Sequence, residues 1–355
     1  MPVELTNPDW ELALPQVIVF ALAMLLLAFD AFLPRARHFF WLTALSLLGY
    51  AGAMLALIWQ DEQNASTFYG LFRADGLTVF LSVIILVAAV LTVMVSASYV
   101  ENLEGRMPLG EFYVLLAFSV LGALLVASAG DLIMIYVGIE LSSLATYILT
   151  AFAKRRVTSV EGALKYFLLG IFASAILLYG MAWIYGATGA TGLDEIARNL
   201  QAATADTERL DPALLLGLLL LIVGLGFKMA AVPFHFWTPD AYDGAPTPVT
   251  AFMSVVPKAA ALAATVRILV QALEPMRDVW LNLIAVLALI TMTFGNIVAV
   301  SQRNVKRMLA YSSIAHTGYM LVGLAAYQTT VGFGTVTGDA SGDLGISSML
   351  YYILA

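Results

Sequence analysis

The sequence predicts an all-α, polytopic membrane helix bundle, and three observations carry that expectation. Hydrophobic residues make up 61% of the 355 positions and charged residues only 12%, against about 45–50% and about 25% in soluble domains. Mean hydropathy is correspondingly high, at +0.90. The apolar residues fall in continuous runs close to the roughly 20 residues an α-helix needs to cross a bilayer. A membrane β-barrel would instead alternate polar and apolar residues in segments of about ten.

Composition also narrows the chemistry. A net charge of −7 argues against nucleic acid, which needs a basic footprint. With no cysteine, the sequence offers no disulfide, no thiolate-held iron–sulfur cluster and no cysteine zinc site. His38, His235 and His316 are too scattered to suggest a metal site, so neither a metal nor a bound cofactor is expected in this chain.

All of 1–355 reads as one integral membrane domain. The opening MPVELTNPDWELALP holds no basic residue before Arg35, whereas a cleaved leader needs a basic start and a shorter apolar core. The first apolar run, 12–33, is therefore expected to persist as a helix. Further runs bounded by turn signals predict helices at 39–59, 76–100, 112–129, 131–152, 160–186, an interrupted 213–242, 248–272, 279–301 and 306–327. Pro233 and Pro257 are the expected helix breaks, because proline removes a backbone donor and crowds the preceding turn. An eleventh helix begins near 345 with about ten residues remaining, too few to cross; either it is truncated or something else completes it. The polar stretch 187–212 is too short and too weakly patterned for a soluble domain.

Basic loop residues set the orientation. Loops after the odd-numbered helices hold Arg35, Arg37, Arg106, Lys154, Arg155, Arg156, Arg303, Lys306 and Arg307. The others hold Arg73, Arg198, Arg209 and Arg277. The N-terminus is therefore expected outside, with the KRR and QRNVKR loops in the cytoplasm.

Several ionisable residues fall inside the predicted helices, where a charge costs about 2.5–3.5 kcal/mol on insertion scales and marks ion or proton pathways. Glu140 shares a helical face with Tyr136, Ser143 and Tyr147, at spacings of four, three and seven. Lys228 lies deep in its run, beside the proline-broken segment. There, freed carbonyls around Met229 are tolerated only against protein or water, and transporters build ion sites from such ends. Lys258 follows Pro257 without a neutralising partner on its own helix, among small residues that permit close approach. Glu161 and Lys165 form a favourably ordered i,i+4 pair; Lys165 has two readings, a pathway group or a side chain snorkelling to the surface. Arg267 is nearer its helix end, where anchoring or pairing with an acid is the simpler role. His316, with Ser312, Ser313 and Tyr319 on its face, has two readings, a satisfied structural histidine or a proton relay whose unperturbed imidazole titrates near 6.5. His235, Asp240 and Asp243 suit capping and loop fixation, and Trp237 and Tyr242 an interfacial aromatic role.

The stretch GFKMAAVPFHFWTPDAYDGAPTPVTAFMSVVPKAA resembles the signature region of the antiporter-like membrane subunits of proton-pumping NADH–quinone oxidoreductase, respiratory complex I. That family is shared with multisubunit cation/proton antiporters and membrane-bound hydrogenases. ELALPQVIVFALAMLLLAFDAFLPR, DLIMIYVGIELSSLATYIL, SVEGALKYFLLGIFASA and RNVKRMLAYSSIAHTGYMLVG look most like the subunit N branch. The resemblance implies an antiporter-like fold of fourteen helices, of which ten or eleven are present here, with two inverted five-helix repeats that each contain a discontinuous helix. On that pattern, 12–100 holds helices 1–3, 112–272 the first repeat, and 279–355 the start of the second. Glu140 matches the helix-5 acid, Lys228 the lysine of the broken helix, and Lys258 the next relay lysine. Lys165 and Glu161 match features of subunit N, and His316 falls on the second repeat's polar axis. A second broken helix and a basic residue on helix 12 are also implied, beyond the end of this sequence.

Such subunits carry no flavin, iron–sulfur cluster or quinone-reducing residues. FMN, iron–sulfur clusters and quinone are implied in partner subunits, and the partners are other membrane subunits and, indirectly, the peripheral redox arm. The implied function is H⁺ translocation coupled to quinone reduction elsewhere in the complex. The alternative is a subunit of a multisubunit Na⁺/H⁺ antiporter or of a related membrane-bound hydrogenase.

Overall fold

The computed structural model describes residues 8–32, 38–60, 65–102, 109–204, 211–327 and 343–354. Arg35, Arg37, Arg106 and Arg209, four residues of the orientation argument, lie outside them. Thirteen α-helices are present among the described residues: α1 Leu14–Phe32, α2 His38–Gln60, α3 Gly76–Asn102, α4 Leu109–Ala127, α5 Leu132–Thr150, α6 Val157–Thr188, α7 Leu193–Thr204, α8 Pro212–Met229, α9 Trp237–Gly244, α10 Thr247–Val266, α11 Arg277–Ser301, α12 Val305–Ala325 and α13 Asp343–Leu354. Nine segments among the described residues are long and apolar enough to span a membrane. Helix α12 has the length but not the hydropathy, because two serines, His316 and Thr317 dilute it.

Local chemistry sets the helix ends. Asp131 caps α5 by accepting from the Ile133 amide at 2.7 Å. Asp211 caps α8 ahead of Pro212, and Asn304 caps α12; each satisfies an amide the helix leaves free. Helix α6 closes on Gly189, whose φ of 71° is left-handed and costs glycine little.

Two elements depart from the expected pattern. The stretch 187–212 contains α7, whose Leu193, Ile196 and Leu200 are buried against the bundle. Residues 65–74 form an antiparallel pair, β1 Ala65–Thr67 and β2 Phe72–Ala74, with Ser66 opposite Arg73. A strand of three residues is too short to give a period-two signal.

The surface of the spans is apolar: Leu48, Ile58, Leu91, Ile297 and Val300 are all exposed. In water such a surface would be costly, and against acyl chains it is not. Inside, small residues let the helices approach. A Cβ on Gly122 of α4 would stand 2.6 Å from the Gly138 carbonyl of α5, so this pair needs hydrogen there.

Helix α10 leads into a π-helical turn, Arg267–Ala272. Arg267 is 0% exposed and joins three elements. It grips Asp75, which precedes α3, through two bonds of 2.9 and 3.0 Å, and donates to Thr78 at 2.7 Å and to the Ala127 carbonyl ending α4 at 2.8 Å. Burial pushes the Asp75 carboxyl up, but Arg267's charge and bonds, with those of Thr78, outweigh it and hold the group below its ordinary value.

Two outcomes follow from this pair. Arg267→Ala should destabilise the purified protein by about 3–5 kcal/mol, because it strands a partly buried carboxylate; thermal unfolding in detergent measures it. Since the native Asp75 value is depressed, its contribution is complete above the unfolded carboxylate value, near 3.9, and is lost as pH falls through the native one. Acidification below about pH 4 should therefore lower the unfolding temperature, and Asp75→Asn should flatten that dependence.

Candidate functional site

The site is organised by the end of α8. The helix stops at Met229, Ala230 takes a left-handed conformation (φ 61°), and Val232–Pro233 is a cis peptide. Helix α9 follows after seven intervening residues, so the predicted interruption of 213–242 is present, at Ala230–Phe236. The carbonyls freed around Met229 meet protein donors, one of the two surroundings in which such groups are tolerated at membrane depth. Met229 O, the acceptor that Pro233 cannot serve, takes a bond of 2.9 Å from the Thr317 hydroxyl of α12. Phe227 O accepts from the Trp237 indole at 3.0 Å, and the Val232 amide donates to Thr291 of α11 at 3.0 Å. Trp237 and Tyr242 are therefore not interfacial aromatics; both are buried, at 2% and 1% exposure.

Pro257 corrects a second expectation. It does not break its helix: α10 runs through it. Proline leaves the Met253 carbonyl, four residues earlier, without its helical donor. The buried Tyr242 hydroxyl supplies one at 3.1 Å, and the turn holds.

Two clusters of the predicted side chains form around these joints. In the first, Lys228 is 7% exposed at the last turn of α8. Its ammonium donates to Ser143 at 2.9 Å, lies 3.4 Å from Glu140 Oε1, and sits 6.0 Å from the Tyr147 ring centroid. Ser174 of α6 donates to the same Glu140 oxygen. Tyr136 lies one turn before Glu140, half-buried on the same helix. The three-residue and seven-residue spacings on α5 thus deliver Ser143 and Tyr147 to Lys228 as the helical period requires.

In the second cluster, Lys258 is 4% exposed. Its ammonium meets the Ser313 carbonyl at 2.6 Å, the Ser313 hydroxyl at 2.6 Å and the Thr317 hydroxyl at 3.2 Å. All of these are neutral acceptors on α12. A cavity of about 500 Å³ opens beside it, lined also by Lys306, Ser312, His316 and Tyr352. His316 is exposed on its wall, with Nδ1 2.6 Å from the Tyr352 hydroxyl. A second cavity of about 10 Å³ adjoins the first cluster, lined by Ser143, Lys228, Pro257 and Ala261. That is close to the least volume that holds one water, about 10–15 Å³.

Lys165 and Glu161 join neither cluster. Their ion pair of 2.7 Å is exposed, and Lys165 reaches Asp240 of α9 at 2.8 Å. Asp240 also binds Arg307 of α12 at 2.7 Å. Asn304 binds Asp243 at 2.9 Å, and Lys306 donates to the Ala245 carbonyl at 2.8 Å. These contacts tie α9 between α6 and α12, in keeping with the fixation role expected of Asp240 and Asp243. His235 is buried and stacked on Phe236.

Ser174 and Thr317 were not singled out from the sequence. Thr317 follows Ser313 by four residues, one helical face, and that was the available signal. Ser174 offered none, being one small residue among others on α6. Among the described residues no group of three or more His, Asp or Glu side chains could hold a metal ion.

The family model described as "NADH:quinone oxidoreductase/Mrp antiporter, TM" matches residues 129–337. The NADH-quinone oxidoreductase subunit N of Desulfovibrio desulfuricans is 46% identical over 319 residues, 88% of this chain and 61% of that protein. Subunit N 2 of Symbiobacterium thermophilum is 41% identical, covering 99% of this chain and 70% of its own length. The chain thus spans less than two thirds of the first of these relatives. Among solved structures, respiratory complex I from Thermus thermophilus with bound aureothin contains a chain 35% identical, with a TM-score of 0.72, covering 96% of this chain and 69% of that one.

The proline repair at Met253 is open to a mutant cycle. Tyr242→Phe should cost about 1–3 kcal/mol by leaving a buried carbonyl unpaired. In a Pro257→Ala background the new amide restores the helical bond, so the same change should cost about 1 kcal/mol less. Unfolding of the four proteins in detergent measures the coupling.

Proposed function

The chain belongs to the NADH-quinone oxidoreductase subunit N family, and from that premise we propose that it carries protons across the membrane within a larger redox-driven complex. The observation that carries this reading is Lys228, buried at a broken helix with Glu140 3.4 Å away and a second buried lysine beyond it. Glu140 and Ser143 hold the ammonium. When the Glu140–Lys228 pair is pulled apart, the ammonium loses its counter-charge and releases a proton. Water in the gap beside Pro257 accepts that proton and passes it to the Lys258 amine. Lys258 has no carboxylate, so its charge rests on Ser313 and Thr317 alone, and it discharges into the larger cavity where Ser312, His316 and Tyr352 stand.

Glu140, Lys228, Lys258 and His316 are the proposed transfer groups, with Tyr136, Ser143, Tyr147 and Ser312 in support. Lys165 and Glu161 are reassigned to the clamp on α9. The helices α4, α5, α6, α8 with α9, and α10 form the first repeat in this reading, and α11 begins the second. The redox centres and quinone belong to partner subunits. The membrane is the bacterial inner membrane, with the N-terminus outside and the 154–156 and 303–307 loops in the cytoplasm.

The family description also covers Mrp antiporters, so an Na⁺/H⁺ antiporter subunit is the competing assignment. Purification through this chain separates the two: flavin- and cluster-bearing partners support the first, a purely membrane assembly the second. Lys228→Ala, in fully assembled complex, should reduce proton pumping in inverted vesicles by about tenfold or more per NADH oxidised. Undiminished pumping would refute the role given to Lys228.

A further inference from the structure

Thr317 touches both halves of the site. Its hydroxyl, 0% exposed, donates to Met229 O at 2.9 Å, the nearer of two carbonyls in its reach (Ser313 O of its own helix lies at 3.2 Å), and accepts from Lys258 at 3.2 Å. A hydroxyl has one hydrogen to give, and an ammonium can only donate, whereas a neutral amine also has a lone pair. While Lys258 is charged, the Thr317 hydrogen is free for the backbone carbonyl at the break. Once Lys258 gives up its proton, its lone pair competes for that hydrogen.

We propose that Thr317 is a positioning residue that reports the charge of Lys258 to the broken helix of Lys228. With Lys258 protonated, Thr317 caps Met229 and the break is closed. With Lys258 neutral, Thr317 turns to the amine, Met229 O loses its donor, and the last turn of α8, which bears Lys228, loosens. The step moves no electrons and breaks no covalent bond; one hydroxyl hydrogen changes acceptors. This rests on the proton-transfer reading and adds its ordering: Lys228 is freed to rearrange only after Lys258 has discharged.

Ser313 is the alternative donor to the amine. It lines the large cavity, where Tyr242 and solvent can take its hydrogen, while Thr317 is enclosed. The other titratable groups around Lys258 are Tyr242 of α9, Lys306 and His316 of α12, and Tyr352 of α13. The Lys228–Glu140 pair lies beyond Pro257, and α3 and α4 place no titratable group in that cavity.

Hydrogen exchange across the break reads the state directly. The amides of Ala230, Ala231, Val232 and Phe234 are bonded to Phe227 O, Gly226 O, Thr291 Oγ1 and Ala231 O. Exchange of this segment in the intact complex is followed by mass spectrometry over roughly pH 6 to 10, corrected for intrinsic base catalysis. The wild-type segment should lose protection as pH rises, on the order of fivefold, the weight of one ordinary hydrogen bond. Thr317→Val should be unprotected at every pH, and Thr317→Ser should restore the wild-type curve. Lys258→Leu, which has no lone pair to offer, should stay protected throughout. A wild-type curve without pH dependence, or a Thr317→Val protein that keeps it, would overturn the proposal. Because exchange does not measure pumping, a negative Lys228→Ala result and a negative exchange result remain distinguishable.

Discussion

A break in a helix inside a bilayer must find partners for every backbone group it frees, and this constraint shapes the centre of the molecule. No water in the hydrocarbon layer can serve an orphan carbonyl. At the end of α8 the partners come from three separate elements: Trp237 beyond the break, Thr291 on α11 and Thr317 on α12. At Pro257 the partner is Tyr242 of α9. Irregular backbone is therefore what couples helices distant in sequence. Where it is repaired from another helix, the position of that helix becomes part of the site.

The buried cations differ in the company they keep. Arg267 has a bidentate carboxylate and further acceptors on neighbouring elements, so its planar fork is fully used and it acts as a fixed joint. Lys228 has one carboxylate, shared with Ser174, at the long distance of 3.4 Å. Lys258 has only neutral oxygens. A compact ammonium on a flexible stem can leave such partners singly, which a bidentate guanidinium cannot. The gradation runs from Arg267, fixed by a carboxylate on two bonds, to Lys258, held by neutral oxygens alone.

Much of this was legible in the sequence, and the exceptions have physical causes. Apolar runs of helical length located the spans. Helical spacing on α5 placed Ser143 and Tyr147 beside a buried partner, because one helix obeys one period. Tertiary repair was not legible. Pro257 reads as a break until Tyr242, fifteen residues earlier, is known to reach Met253 O. The same blindness made Trp237 and Tyr242 look like membrane-surface aromatics, since composition gives the amphipathic ring but not what its polar tip meets. Helix α7 escaped because a short helix half-covered by the bundle leaves few apolar positions to recognise.

The contacts of α12 give a reason for its being less apolar than the helices around it. Its first turn binds α9 through Asn304, Lys306 and Arg307. Ten residues later, Thr317 reaches Met229 and Lys258. At 1.5 Å per residue that separation is about 15 Å, half of a hydrocarbon core roughly 30 Å thick. The clamp on α9 therefore fixes the start of the helix that carries this hydroxyl about 15 Å further along. A fully apolar α12 would pack as well against α11, yet it would leave Met229 O unpaired and Lys258 without acceptors. Its hydroxyls have to be there for the break in α8 to exist at all. Any movement of α9 relative to α12 is thus felt at both lysines at once.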